Sequence, residues 1–193
     1  MDLLGILSAF GLSASAGLNA YIPLLVVALL GRLTNLIKLA EPWDALTSWW
    51  IIGLLAVLSL IEFLADSSPV INHINDAIQT FIRPAAGAIL FAASANVITE
   101  ISPVLSIAAG IIIAGGVHAV KSLAIRPVVT ASTGGAGNIA VAAAEDLTST
   151  LVSIVSVIVP ALIALVIIAV IAWLIWRNNH RQETPPQSID YIS

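Results

Sequence analysis

Arg126-Pro127-Val128-Val129-Thr130-Ala131-Ser132-Thr133-Gly134-Gly135-Ala136-Gly137-Asn138, continuing through Ile139 to Ala144 and closing on Glu145-Asp146, is the stretch whose reading decides the fold. An arginine, a hydroxyl pair, three glycines, an asparagine and two acids stand here between two hydrocarbon-seeking segments. A loop between membrane helices is polar simply because it touches water. Here the polar centre is flanked by Val128-Val129 and by Ile139 to Ala144, which are themselves apolar. That arrangement reads as a re-entrant or broken helix at membrane depth.

Composition supports this frame. Only 9% of residues are charged and 59% are hydrophobic, against roughly 25% charged in a soluble domain. The expected class is an all-α, polytopic integral membrane bundle. About five spans of roughly 20 apolar residues each fit the length, with one or two helices broken or re-entrant. Residues 1–177 form a single transmembrane domain in this reading, and the polar residues 178–193 a disordered tail. Without cysteine there is no disulfide, thiolate metal site or cysteine nucleophile. Seven scattered basic residues and a net charge of −4 provide no basic patch for nucleic acid. Leu3 to Phe10 followed by Ser13-Ala14-Ser15-Ala16 resembles a signal peptide, but Asp2 replaces the required basic start, so the segment reads as mature protein.

Taken in order, Leu3 to Gly31 carries no charge and contains Gly17-Leu18-Asn19 and Pro23. Two readings stand side by side. One is a long tilted helix packed through its small residues. The other is a pair of half-helices, with Asn19 as N-cap and Pro23 in the first turn of the second. Trp43, Trp49 and Trp50 cluster where an interfacial aromatic belt would lie, and Ala45 to Ile61 is read as the second span. Glu62 and Asp66, four apart, share a helical face at the end of that span. Ser67-Ser68-Pro69 is read as a break. A short amphipathic helix is expected to follow, with Ile71, Ile74, Ile78 and Phe81 opposite His73, Asp76, Thr80 and Arg83. Pro84 is expected to begin the next, short helix to Thr99. Glu100 to Pro103 reads as a turn into a helix Val104 to Val120, ending with His118 and Lys121 on one face. Leu147 to Trp176 is a further span, kinked at Pro160 and closed by Trp173, Trp176 and Arg177.

The two halves of the chain echo one another. Ser13…Gly17-Leu18-Asn19 resembles Ser132…Ala136-Gly137-Asn138, and Phe81-Ile82-Arg83-Pro84 resembles Ala124-Ile125-Arg126-Pro127. An inverted repeat would bring discontinuous helices together near the midplane. Asn19 and Asn138 would then cap two inward-facing helix N-termini, which favour anions. Gly134 and Gly135, beside Ser132 and Thr133, would turn backbone amides toward a ligand. Arg83 and Arg126 would add bidentate donors for phosphate or carboxylate. Glu62, Asp66, His118, Lys121, Glu145 and Asp146 are the expected charge partners and proton carriers, because ionisable groups inside a membrane are costly. Neither a metal site nor a cofactor site is expected, nor is an enzymatic nucleophile set assignable.

Ser13 to Pro23, Phe81-Ile82-Arg83-Pro84, Ser132-Thr133-Gly134-Gly135 and Glu145-Asp146 resemble a bacterial membrane family, domain of unknown function 4126, over roughly residues 5–175. That resemblance implies a small bacterial inner-membrane protein and transfers no site. A looser architectural analogy is to DedA-like membrane proteins, which use re-entrant helices and buried charges on lipid phosphates. The leading expectation is a transporter or channel for an anionic or phosphate-bearing solute or lipid, with proton coupling as an option. A non-transporting scaffold and a lipid-processing enzyme are the alternatives. The expected partners are the bilayer, an anionic small molecule or lipid phosphate, and a second copy of the chain in a homodimer. Once Arg83 and Arg126 are taken as buried, the remaining basic residues favour a cytoplasmic C-terminus.

Overall fold

The computed structural model describes residues 3–67, 69–95 and 102–182. Helices account for all the regular structure among the described residues. They are α1 (Leu3–Leu18), α2 (Tyr21–Leu33), a 3-10 turn (Trp43–Thr47), α3 (Trp49–Ser67), α4 (Pro69–Ala95), α5 (Pro103–Val120), a π-turn (Lys121–Ile125), α6 (Arg126–Thr133) and α7 (Asn138–Gln182). Four stretches are long and apolar enough to cross a membrane: Trp49–Asp66, Ile74–Ser94, Pro103–Thr133 and Asn138–Pro160. Gly5–Leu18, Tyr21–Leu33 and Ile168–Asn178 are shorter apolar helices. The chain is an all-α integral membrane bundle.

Two compact units divide at Pro160. The first holds the core and every residue discussed below as a site. In the second, from Ala161, the last part of α7 is apolar and exposed at Leu162, Leu165, Ile168 and Leu174. Near its end the Arg177 guanidinium lies 5.3 Å from the centre of the Trp173 ring, an attraction between cation and ring face. Helix α7 reaches Gln182, further than the polar tail expected from residue 178 allows. Residues 183–193 lie outside the described residues, as does the expected turn at Glu100-Ile101.

The first break in the chain is decided by Asn19. Its Oδ1 accepts the backbone N–H groups of Tyr21 at 3.0 Å and Ile22 at 2.9 Å, so α2 starts on a side-chain cap. Pro23 follows in the first turn, where its missing N–H has no intrahelical acceptor to disappoint. The half-helix reading is therefore the one the chain adopts.

The second expected break does not occur. Pro84 lies inside α4, a single 27-residue helix, rather than at the start of a new one. Proline forfeits one helical hydrogen bond and crowds the preceding turn, but tertiary packing absorbs that cost here. Gly115 of α5 faces the Pro84 ring, where a Cβ would make ordinary contact with Cγ at 3.6 Å. Nearby, Gly87 and Gly110 bring the α4 and α5 backbones so close that neither position has room for a side chain. The amphipathic segment and the short alanine-rich segment thus join into the span Ile74–Ser94.

The α3 and α4 helices run antiparallel, since Glu62 meets Arg83 while Asp66 meets Asn75. Helix α1 packs on α4 and α5, whereas α2 packs on α3. Phe10 meets Phe91 edge-on, with ring centres 5.4 Å apart, two turns beyond Arg83. Arg32 lies 5.6 Å from the ring centre of Trp49, at the end of α3 remote from Glu62. Both arms of the Asn19 break therefore lead away from the Glu62–Arg83 level toward the same end of the α3–α4 pair. Between those arms Leu12, Ala16, Leu24, Val27, Ile52, Leu55, Ala86 and Leu90 form the apolar core.

Candidate functional site: a buried ion-pair cluster

Six elements deliver charged side chains to one place inside the first unit. Helix α3 brings Glu62 and Asp66. Helix α4 brings Asp76 and Arg83, one heptad apart and so on one face. His118 comes from α5, Lys121 from the π-turn, Arg126 from α6, and Glu145 and Asp146 from α7. Arg83 is 0% exposed, and Glu62 and Lys121 are each 1% exposed. Side chains of this kind are rarely buried in a membrane bundle unless they pair.

Pairing is dense. Arg83 donates from Nη2 to Glu62 Oε1 at 2.8 Å and to Asp66 Oδ2 at 3.5 Å. Lys121 Nζ lies 3.3 Å from Asp66 Oδ2 and 2.7 Å from Glu145 Oε2. Arg126 reaches Asp66 with both terminal nitrogens. It also reaches Glu145 Oε2 at 3.0 Å and Asp76 Oδ1 at 3.1 Å. Asn75 Nδ2 adds a bond to Asp66 Oδ1 at 2.6 Å. Asp66 is thus the hub, a carboxylate touching Arg83, Lys121 and Arg126 together.

The π-turn explains why two cations from consecutive elements converge. In a regular helix residues five apart point about 140° away from each other. At Lys121–Ile125 the helix widens, and the Arg126 N–H bonds the Lys121 carbonyl. One wide turn thereby sets Lys121 and Arg126 on the same side. Pro127, which cannot continue a normal ladder, stands just after it. Such bulges recur at functional positions.

Histidine and helix ends complete the arrangement. Arg83 Nη1 lies 2.9 Å from His118 Nδ1, and an arginine N–H can face only an unprotonated ring nitrogen. Thr80 Oγ1, which donates to the Asp76 carbonyl, lies 3.2 Å from His118 Nε2 and so accepts its N–H. Both ring nitrogens of His118 are thus held within the cluster. Lys121 Nζ donates to the Leu18 carbonyl at 2.9 Å, placing a positive charge on the C-terminal end of α1. Asn19 Nδ2 donates to Asp146 Oδ1 at 2.9 Å. The break between α1 and α2 is thus tied to the cluster at both of its ends.

Nine sequence-predicted residues meet here: Asn19, Glu62, Asp66, Arg83, His118, Lys121, Arg126, Glu145 and Asp146. The remainder occupy the α6–α7 turn. Ser132, Thr133 and Gly134 are exposed there, and Gly135 and Asn138 are buried. Ser132 Oγ and Thr133 Oγ1 donate to the Val129 carbonyl, and Thr133 Oγ1 accepts the Gly137 N–H. The amides of Ala136 and Asn138 bond the carbonyls of Thr133 and Gly135. These five donors are therefore used within the turn. Asn138 differs from the expected cap: α7 begins on it, and its Oδ1 takes the Thr130 hydroxyl at 3.2 Å. Asp76, Asn75 and Gln79 also belong to the cluster, although Asp76 lies on what reads from the sequence as the solvated face of an amphipathic helix. The usable signal was their spacing, with Gln79 one turn and Asp76 two turns before Arg83.

The family model for a domain of unknown function (DUF4126) matches residues 6–179. The chain belongs to that family. The expectation drawn from Ser13–Pro23, the Arg83 motif and Ser132–Gly135 thus holds over almost the whole helical region. No curated protein and no solved structure is matched by this chain. For this member of the family, chemistry has to be argued from the cluster itself.

Charge balance is the main constraint. Three cations, Arg83, Lys121 and Arg126, face five carboxyl groups, Glu62, Asp66, Asp76, Glu145 and Asp146. With all ionised, the sum is two negative charges in excess. Isolated charge inside a low-dielectric bundle is costly, so the arrangement favours uptake of protons or of a positively charged group.

Proposed function

We propose that this chain is a small proton-coupled membrane transporter for a solute or lipid headgroup bearing a carboxylate or phosphate. The observation that carries the reading is Asp66, an internal anion holding Arg83, Lys121 and Arg126 at once. While Asp66 is ionised, it occupies the position an incoming anion would take. A proton on Asp66 removes its charge and weakens its hold on the three cations, each of which keeps its second carboxylate while gaining room for a ligand oxygen. One proton and one negative charge then enter together, so the cluster charge is unchanged and the desolvation cost of the exchange stays small.

In this reading α1 and α2 act as a re-entrant hairpin, with its tip at Asn19 and its arms on one side of the cluster. Tight contacts support that role. Ser13 Oγ donates to the Gly87 carbonyl at 2.7 Å, and Ser15 Oγ lies 2.9 and 2.7 Å from the hydroxyls of Ser149 and Ser153. This serine seam closes one end of the bundle. Toward the other end the cluster is nearer the surface, and the Asp76 side chain keeps 17% exposure. At 1.5 Å per residue, Glu145 is only about 10 Å along α7 from the turn at Asn138. We place the protein in the bacterial inner membrane, with its C-terminus cytoplasmic.

Proteoliposomes carrying the full chain test this. Flux of small carboxylates and phosphates, and transbilayer movement of phospholipids, are followed with and without a pH gradient. The expected result is movement accelerated by acid on the side from which the anion enters. Arg126→Gln, with Lys121 and Arg83 left to hold Asp66, is expected to abolish that movement in folded protein. Undiminished movement in folded Arg126→Gln, or none in the parent at any gradient, would return the cluster to a scaffold role.

A further inference from the structure

The cluster is not uniform, and two of its least satisfied groups, Glu62 and Gln79, lie around Arg83. Among the described residues, three buried side-chain oxygens find no hydrogen-bond donor: Glu62 Oε2, Gln79 Oε1 and Glu145 Oε1. Glu62 is 1% and Gln79 2% exposed, so bulk water does not satisfy them. A buried acceptor without a donor costs about 1–3 kcal/mol, and three within one cluster require an explanation.

Neighbouring donors are already committed. Arg83 uses Nε and Nη2 on Glu62 Oε1 and Nη1 on His118. The first free amides of α2, on Tyr21 and Ile22, are taken by Asn19 Oδ1. Gln79 stands one turn before Arg83 on α4, and Arg83 holds Glu62. The result is a side of the cluster with two unpartnered acceptors. Across Arg83 from it lies the lobe of Lys121 and Arg126, which offers donors. A simple anion satisfies only the second lobe.

Building on the transport reading above, we propose that the substrate is a zwitterion. Its carboxylate or phosphate takes the place of Asp66 on Arg126 and Lys121, while its protonated amine donates to Glu62 Oε2 and Gln79 Oε1. A primary ammonium carries three donors and no acceptor, which matches two buried acceptors left without a partner. It also offsets the surplus negative charge. Phosphoethanolamine-type headgroups and free amino acids share this chemistry.

Binding to the full chain in nanodiscs distinguishes the two ends of the ligand. The probes are phosphoethanolamine and β-alanine as zwitterions, inorganic phosphate and propionate as anions, and ethylamine as a cation. The zwitterions are expected to bind at least about tenfold more tightly than either half, because each half leaves one lobe unpaired. Glu62→Gln and Gln79→Leu are expected to erase that advantage while phosphate affinity is retained. If Glu62→Gln does not fold, Gln79→Leu alone carries the test, since it removes an acceptor and no charge. Reconstitution then separates the sources. Movement of phosphatidylethanolamine across the bilayer identifies a headgroup, and uptake of free phosphoethanolamine or β-alanine identifies a solute. Equal affinity for phosphate and phosphoethanolamine, or for ethylamine and β-alanine, would overturn the zwitterion while leaving anion transport in place. Absence of binding by every probe, together with absence of anion flux, would remove both.

Discussion

The two breaks in the helical chain begin from similar sequence and end in different physical situations. At Leu18-Asn19-Ala20 the break is buried, and its exposed helix ends are satisfied from afar. Lys121 takes the Leu18 carbonyl, and Asp146 holds the asparagine that caps α2. At Gly134 to Gly137 the break satisfies itself. Gly134 and Gly135 adopt φ of 61° and 91°, and Thr133 bonds across the turn. A break whose ends depend on distant charges is coupled to whatever those charges do. A break closed by its own local bonds is a hinge or a cap and little more. The contrast places the functional weight on the first break, although the second has the more conspicuous composition.

The largest expected effect tests the hub on which the first break depends. Asp66→Ala leaves Arg83, Lys121 and Arg126 with a shared carboxylate missing. Breaking a buried pair of this type costs about 3–5 kcal/mol, so purified variant should show a sharply lowered unfolding midpoint or fail to give monodisperse protein. An unchanged midpoint would show that the remaining acids suffice. Next, Gly17→Val should destabilise by about 1–3 kcal/mol. A Cβ at that position would lie only 2.5 Å from the Ala114 carbonyl and from Val117 Cβ. Thermal unfolding in detergent reads this directly.

Smaller effects sharpen the comparison between the breaks. Asn19→Ala removes both the α2 cap and the Asp146 bond and should cost about 1–2 kcal/mol. Asn138→Ala loses one hydrogen bond to Thr130 and should cost about 0.5–1.5 kcal/mol. If the two measured losses were equal, the claimed asymmetry would fail. Least of all, Ser132→Ala at the exposed turn should stay within about 0.5 kcal/mol and leave transport untouched. Loss of flux in that variant would bring the glycine-rich turn back into the site.

Arg83, Arg126 and the four acids Glu62, Asp66, Glu145 and Asp146 could be picked from the sequence because charge is scarce in this chain and expensive in hydrocarbon. Asp76 and Gln79 could not. Polar residues on one face of an amphipathic segment look solvated until a neighbouring helix covers them. Pro84 and Asn19 show the same limit in opposite directions. Proline is the stronger local breaker, yet α4 continues through it, packed one turn later against α5 where Gly87 meets Gly110. Asn19 is the weaker signal, yet the chain breaks there because its cap and the adjacent carbonyl both find buried partners.

Membrane residence, helical class, family membership and the identity of most charged candidates were determined by composition and local pattern alone. These depend on the transfer of side chains out of water, which each residue contributes whatever its neighbours. Tertiary structure alone decided which carboxylate meets which cation, that Asp66 binds three of them, and that Glu62 and Gln79 are left with unpartnered oxygens. Those facts depend on which helix faces lie within hydrogen-bonding distance, and that is set by close glycine and serine packing between segments far apart in the chain.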